Sequence, residues 1–186
     1  MNRPIGSATR NTGRAGASRW RLLSLALAGL LLLADQLSKH WATLHLPLGQ
    51  VRPFLPGLLA LQRVQNTGAA FSLFSGSTQT LGLVSLVVSL AVLLWILRTS
   101  PRGLWLSLGL GFLLGGAAGN GIDRWRHGAV TDFLAFVPVD FPVFNLADVA
   151  INLAVLCLLI DQLPQLGIGG SGSGPRGSGH DPGAHG

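Results

Sequence analysis

Two aspartates, Asp132 in Val130-Thr131-Asp132-Phe133 and Asp148 in Phe144-Asn145-Leu146-Ala147-Asp148, border a hydrophobic segment of a chain that contains no glutamate. An ionised side chain held near a bilayer centre costs roughly 2.5 to 3.5 kcal/mol by the lower estimates, so carboxylates at such a boundary mark a proton, ion or substrate site. Neither has an obvious basic neighbour. If the chain folds back so that they face each other, like-charge repulsion and desolvation raise one pKa and leave a shared proton on the pair. One carboxylate then activates water, while the other polarises a scissile carbonyl and assists the leaving amine. The chemistry implied is peptide-bond hydrolysis with neither metal nor covalent intermediate.

The other titratable groups suit structural roles. Asp35 and Lys39 are four apart on one helix face and can pair. Asp123 can pair with the adjacent Arg124 or another nearby base, and a buried charge is tolerated when it is matched. Ser38 and Lys39, adjacent on a helix, point about 100° apart, a poor start for a serine–lysine dyad. There is no His-Glu-x-x-His motif, and His40, His45, His127, His180 and His185 give no ligand set, so no metal or cofactor is expected. Cys157 lies in an apolar run and is expected to pack.

A membrane scaffold must position these groups. The chain has 186 residues, 48% hydrophobic and 11% charged, against the roughly 25% charged of a soluble domain. Its net charge of +6 comes from scattered arginines without an aromatic-interleaved patch, which points to topology and anionic lipid rather than nucleic acid. Four apolar segments, at about residues 20–46, 80–97, 104–121 and 145–163, each approach the roughly 20 residues needed to cross. The first resembles a secretory signal, but Ala34-Asp35-Gln36 is a poor cleavage site, so an uncleaved anchor is expected. Arg3, Arg10, Arg14, Arg19 and Arg21 precede it, Arg98 and Arg102 lie between spans two and three, and Arg176 lies in the tail; these belong inside, with both termini.

The expected fold is therefore an all-α membrane protein of four transmembrane helices with a small extracytoplasmic β element at about residues 47–79. Residues 1–18 form a basic cytoplasmic extension, 19–165 the membrane domain and 166–186 a flexible glycine-rich tail. The first dozen residues are also expected to lack fixed structure. In this orientation Asp35 and Lys39, then Asn120, Asp123 and Arg124, then Asn145, Asp148 and Asn152 converge near the outer interface, with Asn66-Thr67-Gly68-Ala69-Ala70-Phe71-Ser72 contributed by the β region. Gly111, Gly115 and Gly119 recur every four residues, a pattern for close helix packing rather than ligand contact.

Five motifs stand in an order that closely resembles the bacterial lipoprotein signal peptidase family, signal peptidase II. They are Asp35-Gln36-Leu37-Ser38-Lys39, the Asn66 to Ser72 run, Gly116-Ala117-Ala118-Gly119-Asn120-Gly121-Ile122-Asp123-Arg124, Val130-Thr131-Asp132-Phe133 and Phe144-Asn145-Leu146-Ala147-Asp148. The resemblance implies an aspartyl endopeptidase of the inner membrane that removes the signal peptide of prolipoproteins before a diacylglyceryl-modified cysteine. It implies Asp132 and Asp148 as the catalytic pair, and Asp35, Lys39, Asn66, Gly68, Ala70, Asn120, Asp123, Arg124, Asn145 and Ala147 as residues that shape or support the site. It also implies that residues 47–79 form an extracytoplasmic β-cradle, and the expected partners are the prolipoprotein and membrane lipids, with the enzyme a monomer. Two rivals come from other classes. A proton-coupled transporter or channel would use the aspartates as a relay, but a relay needs carboxylates at several depths and these cluster on one side. A scaffold held by the glycine face would tolerate Asp132→Asn.

Overall fold

The computed structural model of the chain describes residues 9–68 and 78–163, with side chains described from residue 18 onward. The element order is α1 (Thr9–His45), β1 (Val51–Leu55), β2 (Leu59–Asn66), α2 (Thr78–Thr99), α3 (Leu104–His127), β3 (Val130–Phe136) and α4 (Leu146–Gln162). Helix α1 begins inside the stretch expected to lack structure, and the glycine-rich tail lies outside the described residues. Among the described residues, three helices are long and apolar enough to cross a membrane: Ser18–His45 of α1, α2 and α3. Helix α4 has 17 residues, about 26 Å at 1.5 Å per residue.

The helices expose leucine and valine outward, among them Leu30 and Leu33 on α1, Val87 and Leu90 on α2, and Val155 and Leu159 on α4. Polar residues face inward instead, the reverse of a water-soluble bundle. Helix α3 is central and packs against the other three. Its small residues make this possible. A Cβ at Gly111 would lie 2.9 Å from the Ser24 carbonyl oxygen of α1, and one at Gly116 would lie 2.6 Å from the Ala147 carbonyl oxygen of α4. At the opposite end from the sheet, the Arg21 guanidinium donates to Ser100 Oγ, where a φ of 53° turns the chain between α2 and α3.

Helix α3 continues past its expected end near Gly121 to His127 and stops at Gly128, whose φ of 70° is the left-handed C-cap that glycine adopts without strain. The chain then returns as β3. The sheet is antiparallel in the order β1-β2-β3, with Val64 opposite Asp132 and Asn66 opposite Val130. Strands β1 and β2 fall in the region expected to be β, with Pro53 on the edge strand, where a missing N–H costs no ladder bond. Strand β3 does not: its Val-Thr-Asp-Phe-Leu-Ala-Phe run lies between the third and fourth apolar segments, outside the expected β region. Phe133 packs with Ala42 of α1 and with Leu46 just past its end, and Leu61, Leu134 and Leu146 close around them, so the sheet is fixed to the C-terminal end of α1 and the N-terminal end of α4.

Candidate active site

The start of α4 positions Asp148. Asn145 is the N-cap, and its side-chain Oδ1 accepts the Asp148 N–H at 3.0 Å while Asp148 Oδ2 accepts the Asn145 N–H at 3.0 Å. This reciprocal capping box satisfies two otherwise orphaned N–H groups. It also leaves the Asn145 Nδ2 free to donate to Asp132 Oδ1 at 2.6 Å and to Asn120 Oδ1 at 3.2 Å. The other Asp148 oxygen, Oδ1, accepts from Asn120 Nδ2 at 2.8 Å. A negative charge there also meets the favourable end of the α4 dipole.

Strand β3 supplies Asp132. Asn66, at the end of β2, donates from Nδ2 to Asp132 Oδ2 at 2.9 Å and turns its own Oδ1 back to accept the Gly68 N–H at 2.9 Å. Gly68 in turn offers its carbonyl to Arg124 Nη2 at 3.1 Å, and Arg124 also donates to the Asn120 carbonyl at 3.3 Å. The loop, β2, β3 and α3 thereby brace one carboxyl from several sides.

Beneath the pair lies a buried ion cluster. Lys39 Nζ is 2.8 Å from Asp35 Oδ2 and 3.1 Å from Asp123 Oδ2, and it donates to Asn120 Oδ1 at 2.9 Å. Asp35 Oδ1 accepts the Ala147 N–H at 3.0 Å, and Asp123 Oδ2 accepts the Thr131 N–H at 3.2 Å. The cluster joins α1, α3, α4 and the start of β3. It also orients Asn120: with Oδ1 taken by Lys39 and Asn145, the amide Nδ2 is turned to Asp148.

Asp132 and Asp148 both line a cavity of about 540 Å³. Asn66, Asn120, Arg124 and Asn152 complete its polar part; Val130, Phe136, Phe141, Pro142, Val143, Phe144, Val149 and Ile151 make the remainder apolar. Burial raises the Asp132 carboxyl from its ordinary 3.8 to about 6, and the Asp148 charge adds to this, while hydrogen bonds from Asn66 and Asn145 and the Lys39 charge act in the opposite direction. A carboxyl raised by burial and set in one cavity with a second carboxyl gives a pair able to share a proton, which suits it to water activation.

Of the residues singled out by sequence, Asp35, Lys39, Asn66, Gly68, Asn120, Asp123, Arg124, Asp132, Asn145, Ala147 and Asp148 come together in this one region. Ala70 lies outside the described residues. Of the bases near Asp123, Lys39 rather than Arg124 is its partner, because residues adjacent on a helix diverge while Lys39 faces it from α1. Gln36 had no assigned role, yet its Nε2 donates to Asp35, to Asp123 and to the Gly119 carbonyl. The aromatic wall was also missed. Phe136, Phe141 and Phe144 contact one another with centroids 5.1 to 5.9 Å apart, and the dense aromatic spacing from Phe133 to Phe144 was its available signal.

Apolar helices around a buried cluster, a small sheet at one end and a carboxylate pair opening on an apolar cavity define a membrane protein equipped for acid–base chemistry. The sequence model of the family described as signal peptidase (SPase) II matches residues 27–164. A lipoprotein signal peptidase of Synechococcus sp. (strain RCC307) is 57% identical over 152 residues, 81% of this chain and 99% of its own. That of Parasynechococcus marenigrum (strain WH8102) is 56% identical over 137 residues, 74% of this chain and 86% of its own. A bacterial membrane enzyme solved by the in meso method at 2.3 Å resolution superposes with a TM-score of 0.73 at 25% identity, covering 82% of this chain and 94% of that one. The chain belongs to the signal peptidase II family. It is a bacterial membrane peptidase, which displaces the transporter and scaffold readings.

Proposed function

We propose that this peptidase removes the signal peptide of prolipoproteins, cutting before a diacylglyceryl-modified cysteine, with Asp132 and Asp148 as its catalytic pair. The observation that carries the reading is that both carboxyls line one largely apolar cavity, each held by asparagine donors. Asp148 takes a proton from a water molecule held between the two side chains. The water oxygen bonds to the scissile carbonyl carbon as Asp132 passes its proton to the carbonyl oxygen. The C–N bond of the resulting gem-diol then breaks, Asp148 gives its proton to the leaving nitrogen, and a gem-diol hydroxyl returns a proton to Asp132. Asn66, Asn120 and Asn145 hold the pair, Arg124 fixes the loop through Gly68, and Asp35, Lys39, Asp123 and Ala147 support them from below. Ala70 joins this support by the family pattern.

In this reading α4 is a fourth crossing, supported by its apolar outer face and by an approximate length of 26 Å, close to the roughly 30 Å hydrocarbon core. Both termini, with segments 1–18 and 166–186, lie in the cytoplasm. The pair and the sheet lie at the outer face, the enzyme acts as a monomer, and its hydrocarbon-lined cavity receives the lipidated end of the substrate from the bilayer. The test is cleavage of a lipid-modified prolipoprotein by purified protein. Asp132→Asn and Asp148→Asn each lower turnover by about 10³-fold or more, whereas Asp123→Asn stays within about tenfold per folded molecule. Turnover near the wild-type rate in either of the first two, with the fold intact, removes the pair from catalysis.

A further inference from the structure

Asn152 stands on α4 one turn beyond Asp148, about 6 Å along the axis, and lines the same cavity. Between Val149 and Ile160 the helix otherwise offers only valine, alanine, isoleucine, leucine and cysteine. The Asn152 Nδ2 donates to the Asp148 carbonyl oxygen at 2.9 Å, and the side chain is exposed. That bond uses one amide hydrogen and leaves a second hydrogen and the Oδ1 acceptor for a ligand. An apolar residue would suit an apolar helix at lower cost, so the carboxamide calls for a partner that enters the cavity.

The reaction supplies one. A helical signal peptide has its carbonyls hydrogen-bonded internally, so the residues flanking the scissile bond must be extended before the pair can reach it. Extension frees N–H and C=O groups in a water-poor region, where each is costly if left unpaired. With the signal peptide entering from the inner side, residues before the scissile bond lie deeper than Asp148, along α4. An extended chain advances about 3.3 Å per residue, so Asn152 is level with a peptide unit about two residues before the cut. One free donor and one free acceptor match the C=O and N–H of that unit.

We propose that Asn152 is a substrate-binding residue whose carboxamide hydrogen-bonds the unwound signal-peptide backbone about two residues before the scissile bond. This rests on the peptidase reading above and adds the contact that holds the substrate extended. The probe is a diacylglyceryl-modified prolipoprotein, with matched versions in which the amide of the second or third residue before the cut is replaced by an ester, which lacks the N–H. With the full-length protein in lipid-containing micelles, Asn152→Leu raises KM about tenfold while kcat, the pH profile and Tm stay at or above wild-type values. One of the ester substrates is cut about tenfold less efficiently by the wild type, but with less than a twofold penalty by Asn152→Leu. Asn152→Ala carries the same comparison should the leucine variant misfold. A wild-type KM in the variants, or an ester penalty equal in both proteins, overturns the assignment. Asp148→Asn run alongside separates the two ideas. Normal cleavage by Asn152→Leu beside an inactive Asp148→Asn overturns the Asn152 contact alone, whereas an active Asp148→Asn overturns the catalytic pair.

Discussion

Because Asp132 titrates at about 6 in the folded protein, against about 3.9 in an unfolded chain, its contribution to stability is fully present below the unfolded value. That contribution is lost as pH rises through 6. The difference between these two values corresponds to about 3 kcal/mol. Asp132→Asn removes this ionisation but places an amide N–H₂ against one of the donors on Asn66 or Asn145, a cost that does not change with pH. The stability of the variant relative to wild type therefore improves by about 2 kcal/mol between pH 4 and pH 8, followed as the change in the Tm difference across that range. In the proposed mechanism the same proton acts on the scissile carbonyl, so kcat/KM for the free enzyme falls on the alkaline side with an apparent pKa of about 6. A profile flat to pH 9 removes that proton from the mechanism.

Helix α3 supports the site through its glycines. At Gly116 a Cβ would come within 2.6 Å of the Ala147 carbonyl and 2.8 Å of Ile151 Cγ1, both on the turn that carries Asp148. Gly116→Ala pushes α3 and α4 apart; it lowers stability by about 1–3 kcal/mol and turnover by about tenfold or more, since displacing Asp148 from its proposed catalytic position is costly. Gly29→Ala on α1 is the control, with nothing within 4 Å of its new Cβ. It leaves turnover unchanged and raises stability by up to about 1 kcal/mol, and thermal unfolding with a cleavage assay measures both. An equal effect of the two substitutions would mean that backbone freedom, not close approach, is what α3 requires.

Across the whole molecule, Lys39 holds together elements distant in sequence, balancing Asp35 of its own helix and Asp123 of α3. Lys39→Met leaves two carboxylates buried without their cation and costs about 3–5 kcal/mol. Asp123→Asn keeps the Lys39–Asp35 pair and costs about 1–3 kcal/mol. Denaturant titration in micelles ranks the two, and a milder Lys39→Met would show that the cluster is not ionised as a unit. Topology is tested at this scale too. In a Cys157→Ser background, a cysteine at Asp140 is labelled by an impermeant maleimide from outside intact cells, and one at Arg102 only after permeabilisation; the reverse pattern inverts the proposed orientation.

Much of this protein was legible in one dimension because hydropathy and local spacing are one-dimensional signals. The positions of α1, α2 and α3 followed from apolar length, the Asp35–Lys39 pair from a four-residue offset, and the close packing of Gly111, Gly115 and Gly119 from small-residue spacing. The capping box at Asn145 and Asp148 was equally local, though it was read only as a shared helix face. Strand β3 was not legible, since seven residues after a membrane helix carry no period that distinguishes strand from loop, and its pairing with β2 is a long-range choice. Nor could spacing select Lys39 over the adjacent Arg124 as the partner of Asp123, because that depends on which face α3 turns to α1. The sequence by itself determined which groups are costly to bury and where the chain must be helical. Only the tertiary structure decided which of them meet, because contacts between α1, α3, α4 and β3 are set by how closely the helices pack and how the sheet seats on their ends.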